Sequence, residues 1–436
     1  MSGLLTGFIA IACLILLLAF GVPVAFAMGL VAIVGMYLVV GEAFLLSIIT
    51  AMPWSSASTY TFVVIPMFIF MGAIAARAGF IEQLYTAAHR ISSRARGSLF
   101  YATILASSGF AAISGSTIVS SSIFTRMALP QMIRFGYDRS ISAGCIAAAG
   151  TLAALIPPSI VMVLYGILTN TSIGRLLIAG IVPGLMTAVA YMVSLRILLI
   201  FKPDLAPVNN IRFTFKEQLS GLVNIWSILL VSVIVLGGIY SGLFSPSSAG
   251  AIGAAGVLII AAMRRRTNFG DVRDSLFEAA RITAVLFAII IAGLLFSRFL
   301  TISSFIAELN YLVVDSGLGV TGFMLTVVAI FIVLGMFVDT VSMLVLTLPF
   351  LFPISKGLGL DPVWFGIIVI KLAEIGAITP PVGLNLFAVV GASKGSVSSV
   401  MMFRGVFSFL VVESFVLFIL IMLPELSLWL PNNMMG

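Results

Sequence analysis

The sequence predicts an all-α polytopic membrane protein built from two inverted repeats, each with a re-entrant hairpin and a broken helix. Three observations carry that prediction. The 436 residues are 61% hydrophobic and only 8% charged, with a mean hydropathy of +1.25. A soluble protein of that length has no interior large enough to hide so much apolar surface. Continuous apolar runs of about 18 residues or more read as membrane-spanning helices, and runs that do not alternate argue against a β-barrel. Finally, the chain repeats itself. Displaced by 223 positions, Pro23 falls on Pro246, Pro130 on Pro353, Gly136 on Gly359, Asp138 on Asp361, Thr117 on Thr340, and Pro157-Pro158 on Pro380-Pro381. Apolar residues match each other trivially in such a chain, whereas prolines are rare. Repeats whose hydrophobic segments are interrupted by Gly or Pro at corresponding places are the sequence pointer to a secondary transporter.

The first repeat covers 1–201. Spans are expected near 4–20, 23–40 and 60–76. An amphipathic arm at 80–97, with Glu82, His89, Arg90, Arg94 and Arg96, is expected at the interface. A hairpin at 98–133 is interrupted at Ser114-Gly115-Ser116-Thr117, a segment at 140–168 is broken by Pro157-Pro158, and a span at 176–201 closes the half. After a polar linker at 202–220, the second repeat (221–436) has spans near 224–243, 247–263 and 282–300 and a connecting stretch at 302–316. It continues with a hairpin at 320–355 interrupted around Gly335–Thr340, a broken segment at 363–391 and a span at 405–423. The run at 4–20 is followed at once by a second span and lacks a basic leader, so it reads as a span and not a signal peptide.

If each hairpin returns to its own side, each half crosses the membrane five times and the second half is inverted. With the arm in the cytoplasm, the cytoplasmic segments hold fifteen basic residues: Arg90, Arg94, Arg96, Arg134, Arg139, Lys202, Arg212, Lys216, Arg264, Arg265, Arg266, Arg273, Arg281, Lys394 and Arg404. The other side holds two, Arg175 and Lys356. Such a bias is what the positive-inside rule requires, so the net charge of +7 marks topology and not nucleic-acid binding. Cys13 and Cys145 lie in separate apolar spans and indicate neither a disulfide nor a metal site.

Polar chemistry inside the spans is sparse and clustered. Backbone at mid-membrane depth is tolerated only where it is buried in protein or lines a cavity. The tip Ser114–Thr117 and its counterpart Gly335–Thr340 offer carbonyls and hydroxyls, hard ligands suited to Na⁺ and to a polar solute. Small residues can also serve close span packing, but both tips belong to repeats that also carry a double-proline break. Pro157-Pro158 frees carbonyls around Ala154 to Ile156 and restarts a helix near Ser159. The second pair does the same around Gly376 to Thr379, with a restart near Gly383. Half-helix C-termini attract cations and N-termini attract anions. Asp339, the lone carboxylate in a tip, is a candidate ligand for Na⁺ or substrate, or else a partner of Arg298 or Arg126. Asn385 sits on the restarting helix and is expected to face the same cavity. Lys371 and Glu374 read as an intramembrane i,i+3 pair, and Trp54, Trp226, Trp364 and Trp429 as an aromatic belt. No nucleophile–base pair or phosphate loop is present, which disfavours an enzyme, and the absence of a continuous polar stripe disfavours a channel.

The runs SGSTIVSSSIFTRMALPQMIRFGYDRSISAG, LIPPSIVMVLYGILTNTSIGRLLIAGIVPG and GAITPPVGLNLFAVVGASKG resemble the large membrane subunit of tripartite ATP-independent periplasmic (TRAP) transporters, and the resemblance covers essentially the whole chain. It implies an elevator-type fold like that of the ion transporter superfamily, in the bacterial inner membrane. It implies Na⁺-coupled import of an organic acid, such as sialic acid or a C4-dicarboxylate, with Na⁺ as coupling ion and no organic cofactor. It implies two partners, a small four-helix membrane subunit, expected as a separate chain, and a periplasmic substrate-binding protein. A stand-alone Na⁺/dicarboxylate symporter is the alternative. Carried onto this chain, the resemblance places one Na⁺ site at Ser114, Gly115, Ser116 and Thr117 with Leu155 and Ile156. A second is placed at Gly335, Asp339 and Thr340 with Gly376 and Thr379. The substrate cavity between the tips has Ser114, Ser116, Ser159, Asp339 and Asn385 as candidates.

Overall fold

The computed structural model describes residues 2–207, 213–315 and 319–435. Arg212 of the charge count and the end of the 302–316 stretch lie outside the described residues. All regular structure among them is helical, and six helices are long and apolar enough to cross a membrane: Tyr60–Arg77, Ile173–Phe201, Pro246–Met263, Phe269–Ile302, Thr340–Gly357 and Ser399–Met422. The bent pair Phe215–Asn224 and Trp226–Tyr240, which meet at 48°, would make a seventh. Gly3–Ala19 and Val24–Val40 are shorter apolar helices. Large side chains such as Phe26, Leu38 and Phe201 are exposed on these helices, as lipid-facing residues must be. Cys13 is likewise exposed and Cys145 buried, neither in a disulfide.

Both hairpins form. Ser98–Ser114 and Thr117–Arg134 are joined across Gly115-Ser116, and Gly319–Gly335 and Thr340–Gly357 across the segment ending at Asp339. Gly115 adopts φ +59°, a left-handed turn that glycine enters without strain, and this permits the tight reversal at the first tip. Both double prolines break their segments as expected. Arg139–Thr151 passes through a short 3₁₀ turn, Leu152–Ala154, before Ile160–Thr169 resumes, and Pro362–Ala377 gives way to Leu384–Ala392.

Segments that the charge count assigns to one side touch each other. Arg77 pairs with Glu278 at 3.0 Å, Arg264 donates to Gln83 at 2.8 Å, and the backbone N–H of Asp138 donates to Leu205 at 3.0 Å. On the opposite side, Arg175 donates to Asn432 at 2.7 Å.

Several elements differ from the sequence expectation. Glu42–Ala57 is a helix where no element was expected; its interior Pro53 and its Ser and Thr content weaken the span signal. A terminal helix, Glu425–Met435, follows the last span. The expected linker 202–220 already enters a helix, Phe215–Asn224, begun by a capping box between Thr214 and Glu217. The Thr214 N–H and hydroxyl hold the Glu217 carboxyl below its usual range. The span expected at 282–300 is the last part of a 34-residue helix whose polar first turns project beyond the apolar run. The arm helix ends at Ser92 and buries Phe80, Ile81, Leu84 and Tyr85 against the first hairpin. Its His89 stacks edge-on against Phe213, and burial pushes the imidazole below its usual value. Trp364 is not part of an aromatic belt: it is buried, and its indole N–H donates to the Leu420 carbonyl at 3.0 Å. Trp54, Trp226 and Trp429 are exposed, and Arg264 lies over the Trp226 ring at 5.2 Å.

The second tip and the second break meet backbone to backbone. A Cβ on Gly335 would sit 2.4 Å from Gly376 Cα, and one on Gly376 would sit 2.6 Å from Gly335 Cα. Backbone cannot step aside cheaply, so Gly335→Ala should cost about 1–3 kcal/mol and lower the melting temperature. Gly237→Ala, where a Cβ meets nothing within 4 Å, should be neutral or slightly stabilising. Thermal unfolding of the purified variants compares the two.

Candidate functional site

Each tip is held to the broken helix of its own half. A Cβ on Gly115 would fall 2.7 Å from the Pro158 carbonyl, and the Gly383 N–H donates to the Met336 carbonyl at 3.3 Å. The helix Tyr60–Arg77 closes one side: Gly72 lies so near the first tip that a Cβ there would meet Ser114 Cα at 3.0 Å. These close approaches enclose a cavity of about 150 Å³.

That cavity gathers most of the residues singled out from the sequence. Ser114, Gly115, Ser116 and Thr117 of the first tip, Asp339 and Thr340 of the second, and Asn385 of the restarting helix all line it. Gly335, Gly376 and Thr379 lie at the contact behind the second tip, where the Thr379 hydroxyl donates to the Ile375 carbonyl at 2.6 Å. Three further candidates also sit apart from the lining. Ser159 is fully buried, and its hydroxyl accepts the Met162 N–H at 3.2 Å, capping Ile160–Thr169. Leu155 and Ile156 are packed against the bare backbones of Gly180 and Gly184 on Ile173–Phe201; a Cβ on Gly180 would come within 2.4 Å of the Leu155 carbonyl. The lining also includes Glu278, Ile282 and Leu286 of the long helix. No local signal marked Glu278, which lies in the polar first turns of that helix.

Four helices begin at or beside this cavity, and their N-termini differ. Ser159 caps one. Asp339 caps another, accepting from Val341 and Ser342 N–H at 3.0 and 3.1 Å and from the Ser342 hydroxyl. Asp339 makes no ion pair with Arg298 or Arg126; its carboxylate is engaged by its own helix. Thr117–Arg134 and Leu384–Ala392, by contrast, have no side-chain cap. Their first residues, Thr117, Ile118, Val119, Leu384 and Asn385, line the cavity. The amide of Asn385 is wholly buried, with neither its oxygen nor its nitrogen hydrogen-bonded. A buried amide without partners costs on the order of 1–3 kcal/mol. Two open helix N-termini and an unpartnered amide are together chemically suited to an anionic, hydrogen-bonding ligand.

The expected Lys371–Glu374 pair belongs to a larger cluster. Lys371 donates to Glu374 at 3.0 Å and to the Thr187 hydroxyl at 2.9 Å, and it pairs with Glu413, which also accepts the Tyr191 hydroxyl. All three charged side chains are 0% exposed; Lys371 and Glu374 lie on Pro362–Ala377 and Glu413 on Ser399–Met422, and Thr187 and Tyr191 bring in a third helix, Ile173–Phe201. Glu413 was legible in principle, as a lone carboxylate inside an apolar run.

The family model for the tripartite ATP-independent periplasmic transporter DctM component matches residues 11–426. The chain belongs to the DctM family of TRAP transporters. It is 36% identical to the C4-dicarboxylate TRAP transporter large permease protein DctM of Pseudomonas aeruginosa, over 87% of this chain and 88% of that one. It is 30% identical to the isethionate TRAP transporter permease protein DctMQ of Oleidesulfovibrio alaskensis, over 88% of this chain and 60% of that longer protein. Among solved structures, the Alcanivorax borkumensis YdaH transporter, described as having an unusual topology, matches with a TM-score of 0.61, over 90% of each chain at 14% identity. That similarity bears on the fold alone. The chain is thus a multi-pass permease of the inner membrane and not an enzyme.

Removing Lys371 leaves two buried carboxylates facing each other. Lys371→Met should cost about 3–5 kcal/mol, and combining it with Glu374→Gln and Glu413→Gln should recover much of that loss; thermal unfolding in detergent measures both. Asn385→Leu separates structure from site. Replacing an unpartnered amide by an apolar side chain of similar size should leave stability unchanged or raise it, while substrate uptake is lost. A marked fall in melting temperature would instead assign the amide a structural role.

Proposed function

We propose that this permease imports a small organic acid with Na⁺ as the coupling ion, from a periplasmic binding protein and together with a small four-helix membrane subunit. The observation that carries the reading is the buried Asn385 amide, without partners, beside two uncapped helix N-termini. A carboxylate supplies acceptors for those N–H groups, and a further hydroxyl or carbonyl of the substrate pairs with the amide. The P. aeruginosa relative is named for C4-dicarboxylates and the O. alaskensis one for isethionate, both small organic anions. The hydroxyls and carbonyls of Ser114–Thr117 and of Gly335–Thr340, with Leu155, Ile156, Gly376 and Thr379, are the candidate Na⁺ ligands. Cations there offset the charge of Asp339 and of the arriving acid, which supports coupling.

The halves 1–201 and 221–436 act as inverted repeats, and the tips with their broken helices move as one body against the remaining spans. The strapping of each tip to its own break supports this, because it makes hairpin and broken helix a single packed unit. The O. alaskensis DctMQ protein is a longer permease, and its extra length suits a fused small subunit.

Uptake into proteoliposomes holding this chain and its small subunit, with or without an inward Na⁺ gradient and a loaded binding protein, tests the reading. Uptake requiring both is expected. Na⁺-dependent uptake of free solute would identify a stand-alone symporter, and indifference to Na⁺ would remove the cation sites. Asp339→Asn keeps a capping oxygen and removes the charge, so it should preserve folding and lower uptake at limiting Na⁺.

A further inference from the structure

A second cleft, of about 430 Å³, lies between Thr117–Arg134 and Leu384–Ala392 and is lined by Ser122, Arg126, Phe387, Gly391 and Lys394 among others. It contains two cations and no acid. Neither Arg126 nor Lys394 has an ion-pair or hydrogen-bond partner among the described residues, and both are exposed. The two walls are the same two helices whose uncapped N-termini open onto the tip cavity. Arg126 lies nine residues beyond Thr117, about 13 Å along the axis at 1.5 Å per residue. From Asn385 to Ala392 the other wall rises about 10 Å, and Lys394 follows two residues later.

We propose that this cleft is an anion-binding waypoint through which the organic acid passes between the tip cavity and the cytoplasm. The proposal rests on the reading of the cavity as a carboxylate site. One pair of helices presents positive ends at the cavity and two free cations further out, so an anion leaving the first site meets a second along the same walls. A charged side chain inside a membrane helix marks an ion or substrate path by default. Arg126 has eight more residues of helix, about 12 Å, between it and the Arg134 end. That depth favours the cargo over a lipid headgroup, which would sit at the helix end.

The test uses the complete transporter, with small subunit and binding protein, in liposomes of zwitterionic lipid alone and of zwitterionic with anionic lipid, and labelled C4-dicarboxylate as probe. Arg126→Gln combined with Lys394→Gln should lower the maximal uptake rate about tenfold, the scale of electrostatic focusing in a charged cleft. The half-saturating substrate concentration should change little, and Arg126→Lys should restore most of the rate. A Cβ on Gly391 meets nothing within 4 Å, so Gly391→Leu should fold normally while obstructing the cleft and slowing uptake. Rates within twofold of wild type in both variants would overturn the proposal, as would a loss seen only with anionic lipid, which would make the cleft a lipid site. The cleft can also be read without any cargo. Gly391→Cys should react faster with an anionic than with a cationic thiol reagent of equal size, and this preference should vanish with the two Gln substitutions. No preference would overturn the proposal, whereas a preference in a wild-type protein that transports no carboxylate would leave the cleft an anion site and overturn the cavity reading, and with it the passage of the acid.

Discussion

Everything at the centre of this protein depends on one constraint: backbone N–H and C=O groups in an apolar surrounding must find partners. Four helix starts and two hairpin turns bring such groups together at one level. Most are accounted for locally. Ser159 and Asp339 cap the helices they precede, Gly383 donates across to Met336, and bare glycines let backbones close on each other where no side chain could fit. Two starts, at Thr117 and Leu384, remain without a side-chain cap, and both open onto the same cavity. The site is therefore defined by where the constraint is left unmet. A ligand that supplies acceptors there replaces what the chain does not provide.

The same logic governs the ionisable cluster. An isolated ammonium at such depth would be untenable, and so would two carboxylates without a base. Lys371, between Glu374 and Glu413 and beside Thr187, ties together three helices that also share the Tyr191–Glu413 and Trp364–Leu420 hydrogen bonds. Apolar packing is non-directional in lipid, because lipid tails are as apolar as the helices. Charge pairing fixes how Pro362–Ala377, Ser399–Met422 and Ile173–Phe201 are rotated against one another. The first of these ends at the break behind the second tip, so that orientation carries to the site.

The fold class, both hairpins and both breaks were legible because they are written in rare residues: prolines and glycines at corresponding positions, set against a uniform apolar background. Seven of the candidate residues do line one cavity. What escaped the sequence has physical reasons. Glu42–Ala57 carries a proline and several hydroxyls, so its mean hydropathy is low although it is helical. Trp364 has the composition of a belt residue and a buried hydrogen bond that only tertiary packing reveals. Asp339 reads as a free ligand from sequence, whereas its position immediately before a helix gives it two backbone donors. Glu278 and Glu413 reach their partners from other helices, and no spacing rule connects them.

The two tips are consequently not equivalent, despite the repeat. At the second, a carboxylate occupies the helix N-terminus and brings a negative charge to the cavity. At the first, Ser116 occupies the matching place and makes no cap, leaving the positive end of its helix open. Under the proposed function, an arriving carboxylate would be attracted to the first tip and repelled from the second unless a cation neutralised Asp339. The asymmetry suits the proposed coupling: one tip would be open to an anion, and across the cavity a cation beside Asp339 would make that anion's binding favourable.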